Sequence, residues 1–117
     1  MSPSNPLSPF CQVISEGALT GPENMERDQA LLVRAVSAQR VLARLYQWDG
    51  LWVSLGPHQT PHAVLRHPNQ TPWVQRPTGG GGVLHGHDLT VSLSAPLAVL
   101  KVPRTQIRRV HFVLLSP

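Results

Sequence analysis

The stretch from Gln75 to Thr90, QRPTGGGGVLHGHDLT, concentrates residue types that can do chemistry. Arg76 carries a permanent positive charge and Thr78 a hydroxyl. Gly79, Gly80, Gly81 and Gly82 let a backbone approach a ligand closely and turn successive N–H groups toward an anion. Two readings fit this composition, a tight turn between strands and a cradle for an anionic group. A flexible linker fits less well, because linkers are long and mixed with serine. No Gly-Lys-Ser/Thr follows the glycines, which excludes the usual nucleotide P-loop. His85 and His87 share a face if the backbone is extended, and His85, nearer the glycines, is placed to orient a ligand or fix the loop. Asp88 reads as a turn residue, with pairing to Arg76 as the sharper alternative.

Elsewhere, chemistry is sparse. His58, His62 and His67 lie in a proline-rich stretch, and their spacing matches no zinc signature, so no metal site is assigned. Cys11 is the single cysteine, which leaves no intrachain disulfide framework and suits a reducing compartment. No serine has a recognisable base and acid arrangement along the chain, and no catalytic residue is assigned. Tyr46, Trp48 and Trp52 crowd one region, where cross-strand aromatic packing competes with an apolar wall for a fatty substrate.

The elements that must position these residues follow from patterning. Thr20 and Glu23 have capping-box spacing, and the run ENMERDQALLVRAVSAQ places Met25, Leu32 and Val36 with Leu31 and Ala35 on one side of an amphipathic helix. Asp49-Gly50 between QRVLARLYQW and LWVSLG predicts a type I′ hairpin. The segment HQTPHAVLRHPNQTP reads as a loop with one helical turn near Ala63 to Arg66. Short strands are expected at Trp73 to Gln75 and Leu89 to Leu93, holding the glycines between them. Thr105 is placed to cap a last helix carrying Ile107, Val110 and Leu114. Residues 1–19 contain Pro3, Pro6 and Pro9 among serines and read as a flexible lead, with the folded domain over 20–117. The fold class expected is α/β (α+β), a mixed sheet with flanking helices.

The whole chain narrows the function classes. Its 117 residues make one domain, and charged residues are only 14% of them, with 12 prolines. A net charge of +4 comes from nine arginines and one lysine spread along the sequence. That spread argues against a nucleic-acid stripe. The start, MSPSNPLSPF, lacks a basic and then apolar leader, and no apolar run reaches membrane length, so a cytoplasmic protein without membrane or nucleic-acid partners is expected.

Three segments in order resemble the biotin and lipoate protein ligase and octanoyltransferase family. ENMERDQALL looks like the Asn-Met-x-x-Asp-x-x-Leu-Leu opening of that family's first helix. LYQWDGLWVSLGPHQ looks like its first hairpin, ending in a Gly-x-x-Gln turn. RPTGGGGVLHGHDLTVSL resembles its Arg-x-Ser/Thr-Gly-Gly-x-Ala-Val-Leu-His signature followed by Asp/Glu-Leu-Thr, with Gly81 and Gly82 where arginine or glycine and alanine are commoner. The resemblance implies that Arg76, Thr78, Gly79, Gly80, Gly81 and His85 contact the carboxyl end of an acyl group or its adenylate, with Trp48 near the mouth of the acyl tunnel. It implies ATP with magnesium and lipoate or octanoate as substrates, with no permanently bound cofactor, and a lipoyl-domain carrier protein as partner. The family's reactive lysine or cysteine lies in a later segment, and neither Lys101 nor Cys11 matches its position. The resemblance therefore covers the N-terminal part of the domain. A second chain or a homodimer completing it, and a truncated, non-catalytic binding domain, both remain open.

Overall fold

The computed structural model of the chain describes residues 11–77, 79–96 and 110–115. Its elements are β1 (Cys11–Leu19), α1 (Gly21–Ala38), β2 (Val41–Trp48), β3 (Trp52–Leu55), α2 (Pro61–Val64), β4 (Trp73–Gln75), β5 (Val83–His85), β6 (Asp88–Ser94) and β7 (Val110–Leu115). They build two sheets, one in the order β1-β2-β6-β7 and one in the order β4-β3-β5. The mixed α/β (α+β) class is as expected. Among the described residues, no helix is long and apolar enough to cross a membrane.

The capping box forms as its spacing predicts. Thr20 Oγ1 accepts the Glu23 N–H at 3.2 Å, and the Glu23 carboxylate accepts the Thr20 N–H at 3.2 Å. Such a cap is worth about 1 kcal/mol. Gly21 opens the helix because a Cβ there would lie 2.5 Å from the Trp52 ring. The helix ends at Gln39, which takes the left-handed conformation at φ 52°.

The helix buries a different stripe from the one its apolar residues suggest. Asn24, Asp28, Leu31 and Ala35 face inward, whereas Val36 is 50% exposed. Arg44 on β2 causes the rotation. Its Nη1 donates to Asp28 Oδ1 at 2.8 Å and to the Asn24 carbonyl at 3.1 Å, and its Nη2 donates to Asn24 Oδ1 at 2.5 Å. A buried guanidinium has to be matched by carboxylate and amide oxygens, and this outweighs the exposure of one valine.

Expected as part of a flexible lead, Cys11–Leu19 instead runs parallel to β2 as an edge strand; residues 1–10, which hold the prolines, lie outside the described residues. Between Ser15 and Ala18 the register slips, so that Glu16 and Gly17 face Tyr46 alone. The bulge sends the Glu16 carboxylate to Arg44 Nε and, at 2.7 Å, to Arg27.

The Asp49-Gly50 pair does not close a hairpin. Strands β2 and β3 belong to different sheets, and the pair forms the corner between them. A type I′ turn needs positive φ at both central residues, and among the described residues Gln39 is the only non-glycine with it. Asp49 instead accepts the Trp52 indole N–H at 2.7 Å, which pins the corner.

Strand β6 alternates as expected, but its polar face is the buried one. Asp88, Thr90, Ser92 and Ser94 lie inside, opposite or diagonal to the large side chains of Leu42, Arg44, Tyr46 and Trp48 on β2, while Leu89, Val91 and Leu93 are half-buried on the other face. Small hydroxyls fit beneath those bulky groups, and Trp48 Nε1 donates to Thr90 Oγ1 at 2.9 Å. The last expected helix is absent where it can be checked. Val110–Leu115 is a strand antiparallel to β6, and Thr105 and Ile107 lie outside the described residues. The run VHFVLL is rich in β-branched and aromatic residues, which favour a strand, and the spacing of Val110 and Leu114 is incidental to a mostly apolar run.

Candidate functional site

Sheet register brings the chemistry-bearing side chains to one face. In the antiparallel pair β3–β5, Ser54 lies opposite Val83, so His85, two residues on, is its diagonal neighbour on the same face. In the parallel pair β3–β4, Ser54 lies beside Val74, and Arg76, two residues further, points the same way. The glycine run therefore leaves β4 and enters β5 across the end of β3.

Arg76 folds that run around itself. Its Nη1 donates to the Ser54 carbonyl and to Ser54 Oγ, each at 2.7 Å. Its Nη2 donates to the carbonyls of Gly79 at 3.2 Å and Gly81 at 2.8 Å. A guanidinium has five N–H groups, so these bonds leave little for a direct fork to a ligand. Arg76 acts through its charge and by holding the loop. Burial draws its pKa below the ordinary guanidinium value.

The carbonyls of Gly79 and Gly81 are thereby committed to Arg76. Among the described residues, no protein acceptor engages the N–H of Gly80 or Gly81. Gly80 has φ 102°, a conformation that favours glycine. The loop also sits directly on Gly56, where a Cβ would lie 2.0 Å from the Gly80 carbonyl oxygen. That seat is built by the Gly-x-x-Gln turn, in which Gln59 Oε1 accepts the Gly56 N–H at 2.8 Å and Gln75 Nε2 donates to the carbonyls of Gly56 and Gln59.

A hydrogen-bonded line runs behind the loop. Ser54 Oγ lies 2.8 Å from His85 Nε2, and His85 Nδ1 lies 2.7 Å from Asp88 Oδ2. Asp88 also accepts the Gly86 N–H at 2.8 Å and the Thr90 hydroxyl at 3.0 Å. All three members of the line are buried, His85 at 1% exposure, and the imidazole stacks on Trp48 with ring centroids 4.0 Å apart.

The proton positions follow from which groups can only give and which can only accept. Arg76 and the Trp48 indole only donate, and an ionised Asp88 only accepts. Burial alone would raise the Asp88 pKa, but hydrogen bonds from His85 and the Gly86 N–H outweigh it and hold the carboxyl below its usual range. Burial pushes His85 below its ordinary value against the upward pull of Asp88, which keeps the imidazole neutral. Its one proton sits on Nδ1, toward Asp88, and Nε2 accepts the Ser54 hydroxyl. The order is Arg76 to Ser54 to His85 to Asp88.

A cavity of about 220 Å³ lies against this line, walled by Ser54, Arg76, Gly79, Gly80, Gly81, Val83 and His85. The structure thus gathers Arg76, Gly79, Gly80, Gly81 and His85 in one place. Trp48 lies behind His85, with its ring against the imidazole. Thr78 lies outside the described residues.

Two members of the site escape a reading of the sequence. Ser54 is 31 residues from His85, and only the β3–β5 pairing makes them neighbours. Asp88 is both a turn residue, through Gly86, and the partner of His85 rather than of Arg76. The expectation that no serine has a base and acid arranged behind it is corrected accordingly. The spacing His-x-x-Asp next to the glycines was the one available signal. The motif pair Asn24 and Asp28 serves instead to hold Arg44, away from the cavity.

No protein-family model matches the chain, and no curated protein matches it. Solved structures do. LipL1 of P. falciparum, in complex with lipoate, superposes with a TM-score of 0.63 at 15% identity, over 71% of this chain and 30% of that one. A bi-partite lipoate protein ligase from Thermoplasma acidophilum, described with its E2 lipoyl domain, gives 0.58 at 20% identity, over 72% of this chain and 35% of that one. A lipoate-protein ligase A bound with ATP gives 0.51 at 22% identity, over 72% and 35% respectively. The chain spans about a third of the length of these structures. At such identities the likeness is one of fold. Over about seven-tenths of its length, this chain has the mixed α/β fold of the lipoate-protein ligases.

Proposed function

We propose that this chain is a lipoate-ligase-like acyl-binding domain whose glycine loop holds the carboxyl end of a lipoyl or octanoyl chain for protein lipoylation. The observation that carries the reading is the cavity, because its walls are the residues that the Arg-x-Thr-Gly-Gly signature singles out: Arg76, Gly79, Gly80, Gly81 and His85. A negative carboxylate there would meet the charge of Arg76 beside glycine N–H groups that no protein acceptor engages, and bonds assisted by charge are the stronger kind. Thr78 would add a hydroxyl. Trp48 supports His85 from behind and so shapes the site without lining it.

At about 220 Å³, the cavity is smaller than the roughly 300 Å³ at which pockets for drug-sized ligands begin. It suits a carboxyl head better than a whole acyl-adenylate. Activation by ATP with magnesium, and delivery to the lysine of a lipoyl-domain protein, would then need groups beyond this cavity. Lys101, the single lysine, lies outside the described residues. A cytoplasmic location goes with this reading. In the non-catalytic alternative, binding is all that the domain does.

Calorimetry with octanoate tests the cradle. Arg76→Ala should weaken octanoate binding at least tenfold, corresponding to about 1.4 kcal/mol or more, since it removes both the charge and the bonds that shape the loop. Equal affinity in the variant and the parent would remove the assignment.

A further inference from the structure

The line behind the loop has the connectivity of an acyl-transfer relay. A nucleophile of this kind needs a hydroxyl bonded to a neutral imidazole, a carboxylate fixing the imidazole's tautomer, and donors near the reacting carbon. Ser54 Oγ is 2.8 Å from His85 Nε2, and His85 Nδ1 is 2.7 Å from Asp88 Oδ2. Both distances are within the reach such relays require. Asp88 is itself oriented by Gly86 and Thr90, and Thr90 by Trp48, so the imidazole is held along its edge and across its face.

The neighbours of Ser54 add to this. Arg76 Nη1 donates to Ser54 Oγ at 2.7 Å, which favours a hydroxyl losing its proton and leaves that proton directed at His85. Ser54 is closed to bulk water yet borders the cavity together with Gly80 and Gly81. A structural role alone calls for a satisfied serine; it does not call for placing that serine on the wall of a cavity shared with Gly80 and Gly81.

We propose that Ser54, His85 and Asp88 form a nucleophilic relay through which the chain takes an acyl group from an activated acyl ester or thioester. This rests on the cavity's accepting an acyl carbonyl. Ser54 Oγ bonds to the carbonyl carbon as its proton passes to His85 Nε2. The oxyanion that forms is stabilised by the loop N–H groups and the charge of Arg76. Collapse breaks the bond from carbon to the leaving oxygen or sulfur, which takes the proton from His85. An acyl-serine remains. Water then attacks it with His85 as base, releasing the carboxylic acid and restoring the Ser54 hydroxyl. The step starts from an acyl group already activated, so it needs neither ATP nor a lysine.

The probe is p-nitrophenyl octanoate, added to the full chain, with p-nitrophenolate release followed by absorbance and the protein followed by intact mass and peptide mapping. The expected result is a burst of p-nitrophenolate with one octanoyl group on Ser54. Ser54→Ala should abolish both. Asp88→Asn should slow acylation by about a thousandfold or more through loss of the correct tautomer, with rates falling in acid as His85 takes up a proton. Because the adduct is located on the parent chain, the test stands even if a variant fails to fold. No adduct, or an adduct confined to other residues, overturns the relay. Parallel calorimetry with octanoate separates the two claims: octanoate binding without acylation removes the relay and leaves the cradle, whereas no octanoate binding removes the cradle as well.

Discussion

His85 shows at the scale of one residue how burial and partnership divide a group's behaviour. Burial lowers its pKa from the ordinary 6.5, while Asp88 pulls it upward less strongly. The unfolded chain therefore binds more protons than the folded one once pH falls below about 6.5, the usual histidine value. Stability from this group is full above that pH and is lost as pH falls through the depressed pKa of the folded state. Asp88, held below the carboxylate range, adds a second loss at lower pH still. Tyr46 works at the other end: burial first, then the charge of Asp28, raise its pKa from 10.0, so stability declines above about pH 10, where the unfolded phenol ionises. Denaturant midpoints measured from pH 4 to 11 should give a plateau near neutrality with both flanks falling, and His85→Gln should flatten the flank just below pH 6.5. An acid flank unchanged by that substitution would contradict a neutral buried His85. Arg76, the glycines and His85 were legible as a group in the sequence because they are contiguous. Ser54 was not, because a serine in a strand carries no mark of what lies across from it.

Elements bring distant residues together here by register, and the sequence states register poorly. The capping box, the helix and β4 could be read from local spacing, which local physics enforces. The Asp49-Gly50 corner could not, because the choice between a hairpin and a change of sheet depends on what β2 and β3 can each pair with. Nor could the inverted face of β6, where Thr90 and Ser92 go inside as hydrogen-bond partners of Trp48 and Tyr46. The Asn24 and Asp28 pair belongs to this scale. With Arg44 buried between the helix and the sheet, Asp28→Ala leaves a guanidinium without its buried carboxylate and Tyr46 without the acceptor of its hydroxyl at 2.9 Å. Such a loss costs about 3–5 kcal/mol, read as a fall in the midpoint of urea unfolding. A change under about 1 kcal/mol would mean that Arg44 draws its support from elsewhere, Glu16 being the remaining carboxylate.

At the scale of the whole molecule, two sheets meet at Trp48 and His85, and the cavity lies against that junction. The His85–Asp88 bond joins a strand of one sheet to a strand of the other, so the site and the packing of the sheets depend on the same contact. The fold matches that of lipoate-protein ligases over about seven-tenths of this chain and about a third of their length. The glycine-loop cavity is the proposed seat of an acyl carboxylate. The most direct test is octanoate titration into isotope-labelled protein, followed by amide chemical shifts. Saturable shifts are expected at Ser54, Gly79, Gly80, Gly81, Val83 and His85, with Asn24 and Asp28 unmoved. No saturable shifts up to millimolar octanoate, or shifts centred on the Arg44 side of the helix, would contradict it.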